Sequence, residues 1–192
     1  MEVQFVTGKI LSNEKEAVGL RAITIELPKA QASTYTVPGQ YCQIKVDPSS
    51  KPNFFAVRSP PDGRDIFSFI VKESESNSAL VSSQPGSQVY LSDAMGKGFQ
   101  IPEYFDKYKF DFPTTKVLLM ACGSGISPIA AAIDSAVLGL KTTSYNSLFE
   151  RQGTLYIGAK TPDHLPCQVD IYQQLMPYLN ILTSYVHCLH LG

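Results

Sequence analysis

Residues 116–121, Lys-Val-Leu-Leu-Met-Ala, form a continuous apolar run that breaks abruptly at Cys122-Gly123-Ser124-Gly125 and resumes as an Ala-rich stretch over 129–138. This junction constrains the fold more than any other feature of the chain. A short unbroken apolar run predicts a central parallel strand covered on both faces. The Ala-rich stretch predicts a helix, and residues 153–159 (Gly-Thr-Leu-Tyr-Ile-Gly-Ala) a second strand. Strand, helix and strand in that order imply a parallel sheet with a right-handed crossover. Gly123 and Gly125 permit a tight turn and a close backbone approach, and the free N–H groups at a helix start attract an anion. Pro128 suits the first helical turn, where its missing N–H costs nothing. The third glycine of the usual dinucleotide fingerprint is absent. Two readings therefore stand side by side: a phosphate site, or a strand–helix turn that uses glycine for geometry alone.

The first hundred residues have a different texture. Segments 3–11 and 17–27, which alternate imperfectly, the alternating 41–46, the apolar 54–57, and 66–71 and 88–91 read as strands, with polar turns at 12–15, 37–40, 60–64 and 85–87. Residues 74–83 are polar with Ser and Asn at the front, and predict one short helix. Six closely spaced strands with one helix fit a small antiparallel barrel.

Composition narrows the function classes. A net charge of −1 gives no basic field for nucleic acid or an anionic membrane surface. No apolar run approaches the roughly 20 residues that span a bilayer. The start Met1-Glu2-Val3-Gln4-Phe5 has neither signal-peptide nor transit-peptide character. Cys42, Cys122, Cys167 and Cys188 are scattered, with no CxxC, and are expected to be small buried hydrophobes. The terminal group His187, Cys188 and His190 lacks the second half that a metal site needs.

The string Ala121-Cys122-Gly123-Ser124-Gly125-Ile126-Ser127-Pro128 resembles the Gly-Gly-Thr-Gly-Ile-Ala-Pro signature of the ferredoxin–NADP reductase-like superfamily, with Cys122 in place of its first glycine. Leu155-Tyr156-Ile157-Gly158-Ala159-Lys160 resembles that family's second nucleotide-domain strand, and Tyr172-Gln173-Gln174-Leu175 the helix after it. Upstream, Pro38-Gly39-Gln40-Tyr41, Pro85-Gly86-Ser87-Gln88-Val89 and Met95-Gly96-Lys97-Gly98-Phe99 resemble turns of its flavin barrel. The landmarks run in the family's order, nearest to a plant-type group of small FAD/NAD(P)-binding oxidoreductases whose members are usually plastid proteins.

The resemblance implies two cofactors. A pyridine dinucleotide, NAD(P)H, would bind at Gly123, Ser124, Gly125, Ile126, Ser127 and Pro128, with Gly158, Ala159 and Lys160 beside it. FAD would lie along Phe55, Ala56, Val57, Ser59, Val71, Ser76, Asn77 and Ser78. The family's flavin signature is Arg-x-Tyr-Ser, and Asn53, Phe55 and Ala56 stand in its Arg, Tyr and Ser places. Phe55 can stack, but Asn53 supplies no charge and Ala56 no hydrogen bond. Arg58 is the nearest cation and falls on the wrong side of that alignment. Ser76 and Asn77 either hold the pyrophosphate or cap a helix.

The expected architecture is two-domain: an N-terminal antiparallel six-stranded β-barrel for flavin (1–103), a linker (104–113), and a C-terminal α/β parallel-sheet nucleotide domain (114–192). That domain is expected to be incomplete, since 80 residues follow position 112 where the family needs about 110 to 130. The implied activity is hydride transfer between NAD(P)H and FAD, with a small electron-acceptor protein as possible partner. The alternative is a non-catalytic or regulatory remnant that binds cofactor poorly.

Overall fold

The computed structural model describes residues 3–100, 115–140, 151–167 and 179–185. The expected linker at 104–113, the helix expected at 172–175 and the terminal His187–Cys188–His190 group lie outside these.

Strands β1 (Phe5–Ala17), β2 (Leu20–Glu26), β3 (Tyr41–Lys45), β4 (Asn53–Ala56), β5 (Ile66–Lys72) and β6 (Gln88–Ser92) form one antiparallel sheet in the order β4-β3-β6-β1-β2-β5. The sheet rolls so that its two end strands meet: just past β4, the Arg58 amide donates to the Ser68 carbonyl of β5 at 2.7 Å. Inside the roll lie Ile10, Ile23, Ile25, Cys42, Ile44, Phe67, Phe69, Val71, Val89 and Leu91. They recur at alternate positions along their strands, as a half-buried sheet requires. Two short helices, α1 (Lys29–Ala32) and α2 (Ser78–Val81), complete this part, α2 being preceded by a 3-10 turn at Glu75–Asn77.

The expected polar turn at 12–15 is strand instead. β1 runs straight through it, and the chain reverses at Val18-Gly19, where Gly19 takes φ +71°. The reason is tertiary. Asn13 donates its side-chain amide to the carbonyls of Val81 and Ser83, and accepts from Arg21 Nε at 2.9 Å. A polar side chain with partners of its own need not mark a loop.

The second part is a parallel three-stranded sheet, β7 (Lys116–Cys122), β8 (Gln152–Ala159) and β9 (Leu179–Tyr185), in the order β7-β8-β9. Helix α3 (Ile126–Asp134) connects the first two strands. It starts three residues earlier and stops four earlier than expected, and Ala136, two residues past its end, takes φ +58°. Leu119, Leu155 and Ile157 pack with Ile126 and Ala132 of α3 on one face of the sheet. The opposite face contradicts the expectation of a strand covered on both sides: Leu118 and Met120 are 57% and 67% exposed. Among the described residues β7 is an edge strand of this sheet, and an apolar run by itself does not report how many layers cover it. Cys122 is likewise exposed on that face rather than buried, whereas Cys42 and Cys167 are buried as expected.

The two parts share a core. Ile70 points out of the barrel, opposite to Phe69 and Val71, and joins Ala17 and Leu20 in the cluster built around α3 and β8. The β1–β2 hairpin reaches into the α/β unit, where the Val18 amide donates to the Asp163 carbonyl at 2.8 Å. The Cys167 amide donates to the Glu16 carboxylate.

Candidate functional site

Two stretches of backbone carry the site residues. The first is the junction of β7 and α3. Cys122 leaves the strand extended, Gly123 turns with φ +53°, and a 3-10 turn over Gly123–Gly125 leads directly into α3. The positive φ at Gly123 is costly for residues with a Cβ, which is why glycine stands there. A Cβ built at Gly123 or Gly125 would meet no atom within 4 Å, so the turn faces open space. No side chain caps the start of α3, and Pro128 occupies its first turn. The N–H groups that open this turn and the positive end of the helix dipole suit an anion.

Not every residue of the motif faces that space. Ile126 and Ser127 are each 1% exposed, Ile126 packed in the cluster with Leu119, Leu155 and Ile70 and Ser127 turned toward the barrel. Ser127 Oγ accepts from the Ile70 amide of β5 at 3.4 Å. The amides of Ile126 and Ser127 close the turn on the carbonyls of Gly123 and Ser124. Gly158 lies opposite Cys122 across β7–β8, bringing the end of β8 beside the glycine turn. Ala159 is buried there and Lys160 exposed. Immediately beyond, Thr161 Oγ1 and His164 Nδ1 are 2.7 Å apart, a contact that sequence reading did not single out.

The second stretch is β4 and the segment after β5. Adjacent phenylalanines point to opposite faces. Phe55 is half-buried and packs against the barrel core, while Phe54 is 59% exposed, with its ring centroid 6.0 Å from that of Tyr41. Ala56 is half-buried. Val57 and Val71 are fully buried in the barrel interior; the Val57 amide donates to the Gln40 carbonyl at 3.2 Å, and Val71 pairs with Arg21 in the β2–β5 ladder. Ser59 is engaged within the fold: its Oγ accepts from the Ser68 amide at 3.2 Å, and its carbonyl accepts from Tyr35 Oη at 2.9 Å.

The helix start after β5 divides its residues between capping and exposure. Asn77 caps: its Oδ1 accepts from the Ser74 amide at 3.0 Å, and its Nδ2 donates to the Lys72 carbonyl at 2.8 Å. Ser78 Oγ donates to the Glu75 carbonyl at 3.0 Å. The Ser76 hydroxyl is exposed beside that of Ser74, at 3.1 Å. Asn53 Nδ2 donates to the Ser76 carbonyl at 3.0 Å, so the start of β4 touches this helix start.

The cation nearest the flavin stretch is committed elsewhere. Arg58 Nη1 lies 2.8 Å from Asp134 Oδ2 at the last residue of α3. Among the described residues no group of His, Cys, Asp or Glu is placed to hold a metal ion, and no helix is long and apolar enough to cross a membrane.

No sequence-family description and no curated protein matches the chain by sequence. Solved structures do match by shape. A ferredoxin NADP+ reductase from Neisseria gonorrhoeae with bound FAD and NADP is 16% identical at a TM-score of 0.74, over 96% of this chain and 69% of that one. Ferredoxin-NADP+ reductase from Plasmodium falciparum with 2'P-AMP is 16% identical at 0.70, over 94% of this chain and 73% of that one. Phthalate dioxygenase reductase, whose structure is described as modular for electron transfer from pyridine nucleotides to [2Fe-2S], is 15% identical at 0.70, over 96% of this chain and 52% of that one. The chain has the fold of the ferredoxin–NADP reductases: an antiparallel β-barrel followed by a parallel α/β unit.

Proposed function

We propose that this protein is a flavin oxidoreductase module that holds FAD along β4 and the helix start after β5, and a pyridine dinucleotide on the turn Gly123–Gly125. One observation carries the reading. The glycine turn opens to space that an added Cβ would enter unopposed, at the uncapped start of a nine-residue helix packed against the barrel. Backbone N–H groups there suit a pyrophosphate by geometry and by the helix dipole. Lys160, exposed at the end of the neighbouring strand, adds a positive charge on the same edge. Residues fit the flavin less completely. Phe55 offers a half-buried ring edge and Ser76 an exposed hydroxyl, while Asn53 and Ala56 contribute neither charge nor hydroxyl. FAD is therefore held more weakly than a cation at position 53 would hold it.

Phe55 and the helix start after β5 would hold FAD, which when bound would supply the capacity to accept hydride from a nicotinamide. The chain's share is orientation: the turn aims the dinucleotide and the barrel presents the ring. A small electron-acceptor protein would be the natural class of onward acceptor.

A second reading, a fold remnant without catalysis, is favoured by Asn53 and Ala56 in the places where the resemblance puts Arg and Ser. Absorbance after incubation with FAD and gel filtration separates the two. Near-stoichiometric flavin that is bleached by NADH or NADPH supports the oxidoreductase. A colourless protein that cannot be reconstituted supports the remnant.

A further inference from the structure

We propose that α3 is a strut pinned to the barrel at both ends, and that Arg58 and Ser127 are positioning residues that set the approach of a dinucleotide on the glycine turn to a flavin on β4. The inference rests on the cofactor reading above and assigns residues which that reading leaves without a role.

At the C-terminal end of α3, Asp134 Oδ2 meets Arg58 Nη1 at 2.8 Å, with only 23% and 18% of the two side chains exposed. Partial exclusion from water makes such a pair stronger than one on an open surface. Arg58 lies two residues beyond β4, on the stretch that includes Phe55 and Ser59. At the other end, Ser127 stands one residue into α3 and its hydroxyl accepts from the Ile70 amide. β5 is the last strand of its sheet, and the segment after β4 bonds its outer edge at Ser68; two residues on, the buried Ile70 amide needs a partner of another kind. Ser127 provides one.

Sequence sharpens the point. The motif that this turn resembles carries Ala where Ser127 stands, so the hydroxyl is not needed to receive phosphate. In this chain it faces the barrel. Between the two pins, Ile70 packs in one cluster with Ile126 and Ala132. Nine helical residues span about 13 Å, so a rod of that length is fixed to β5 at one end and to the end of β4 at the other. Gly123–Gly125 sits on the rod's N-terminus. A shift at Asp134 therefore swings the turn, and a misplacement of about 1 Å lowers transfer on the order of a hundredfold.

The test compares wild type with Ser127→Ala, Asp134→Asn and the charge exchange R58D/D134R. In cofactor-free protein, hydrogen exchange at Ile70 and over residues 123–130 is expected to quicken together in both single variants. In protein loaded with FAD, the rate of flavin reduction at saturating NADPH should fall by about tenfold or more, while NADPH affinity stays within about twofold, and the exchange variant should recover most of the rate. Unchanged exchange in the single variants overturns the pinning. Rate and affinity falling together with the melting temperature, without recovery by R58D/D134R, reduces the contacts to general stability and overturns the positioning role. Wild type that takes up neither cofactor ends the cofactor reading, and with it the role given to Arg58 and Ser127, whatever the exchange data say of α3.

Discussion

Asn53 at the start of β4 donates its side-chain amide to the backbone carbonyl of Ser76, 3.0 Å away across the gap between two segments 23 residues apart. This contact brings the position where the flavin signature carries arginine onto the helix start that would receive a pyrophosphate. On the proposed flavin reading a phosphate would be held here with no charge at position 53.

Asn53→Arg should therefore tighten FAD. A hydrogen bond to a charged group contributes about 1.5–3 kcal/mol, which is on the order of tenfold to a hundredfold in dissociation constant. Titration of FAD fluorescence measures it. Unchanged or weaker binding would mean that the pyrophosphate does not lie against residues 53 and 76.

Gly125→Val tests the dinucleotide turn with little risk to the fold. Gly125 has φ −63° and empty space where its side chain would grow. Stability should change by no more than about 0.5–1 kcal/mol, while NAD(P)H affinity drops at least about tenfold because the isopropyl group fills the approach to the backbone. Calorimetry of unfolding and of binding separates the two effects. Retained affinity in a folded variant would move the site elsewhere.

The paired phenylalanines of β4 allow an internal control. Phe55→Ala should cost about 2 kcal/mol, roughly half the cost at a fully buried phenylalanine, and should shed flavin on gel filtration. Phe54→Ala, at an exposed position, should stay within about 0.5 kcal/mol of wild type and keep its flavin. The reverse pattern would put the stacking surface on the outer face of β4, beside Tyr41.

Alkaline pH should loosen the barrel. Burial, and secondarily the charge of Asp93, pushes the Cys42 thiol from 9.0 up to about 12. The unfolded thiol then ionises first, so stability is intact below pH 9 and is lost as pH rises from 9 toward 12. Burial also raises the Tyr35 hydroxyl, which acts in the same direction at higher pH. Urea midpoints measured across this window should fall steeply in wild type and less steeply in Cys42→Ala. Parallel curves would remove Cys42 as a source of the dependence.

Much of the frame was legible in the residues because it obeys local rules. Strands β3, β5 and β6 announce themselves by alternation, and the junction at Gly123 by a residue able to take positive φ. What escaped depends on distant partners. Asn13 looked like turn chemistry until the carbonyls of Val81 and Ser83 were found beside it. The run 116–121 looked doubly covered because apolarity does not count layers. Ser127 read as a ligand contact, since nothing nearby in the chain reveals that β5 lies beneath α3. Asn77 had two equal readings, and the amide of Ser74 and carbonyl of Lys72 decided for the cap.

The reach of the β1–β2 hairpin into the α/β unit has a consequence for how the molecule comes apart. Ala17 and Leu20 belong to the interior of the second half although they are encoded in the first. Neither half can be swapped like a cassette, because excising one leaves the other with raw oily surface at the hairpin tip, at Ile70 and along α3. Barrel and α/β unit should melt in a single transition, and loosening at the tip should be felt at the glycine turn before either half unfolds alone.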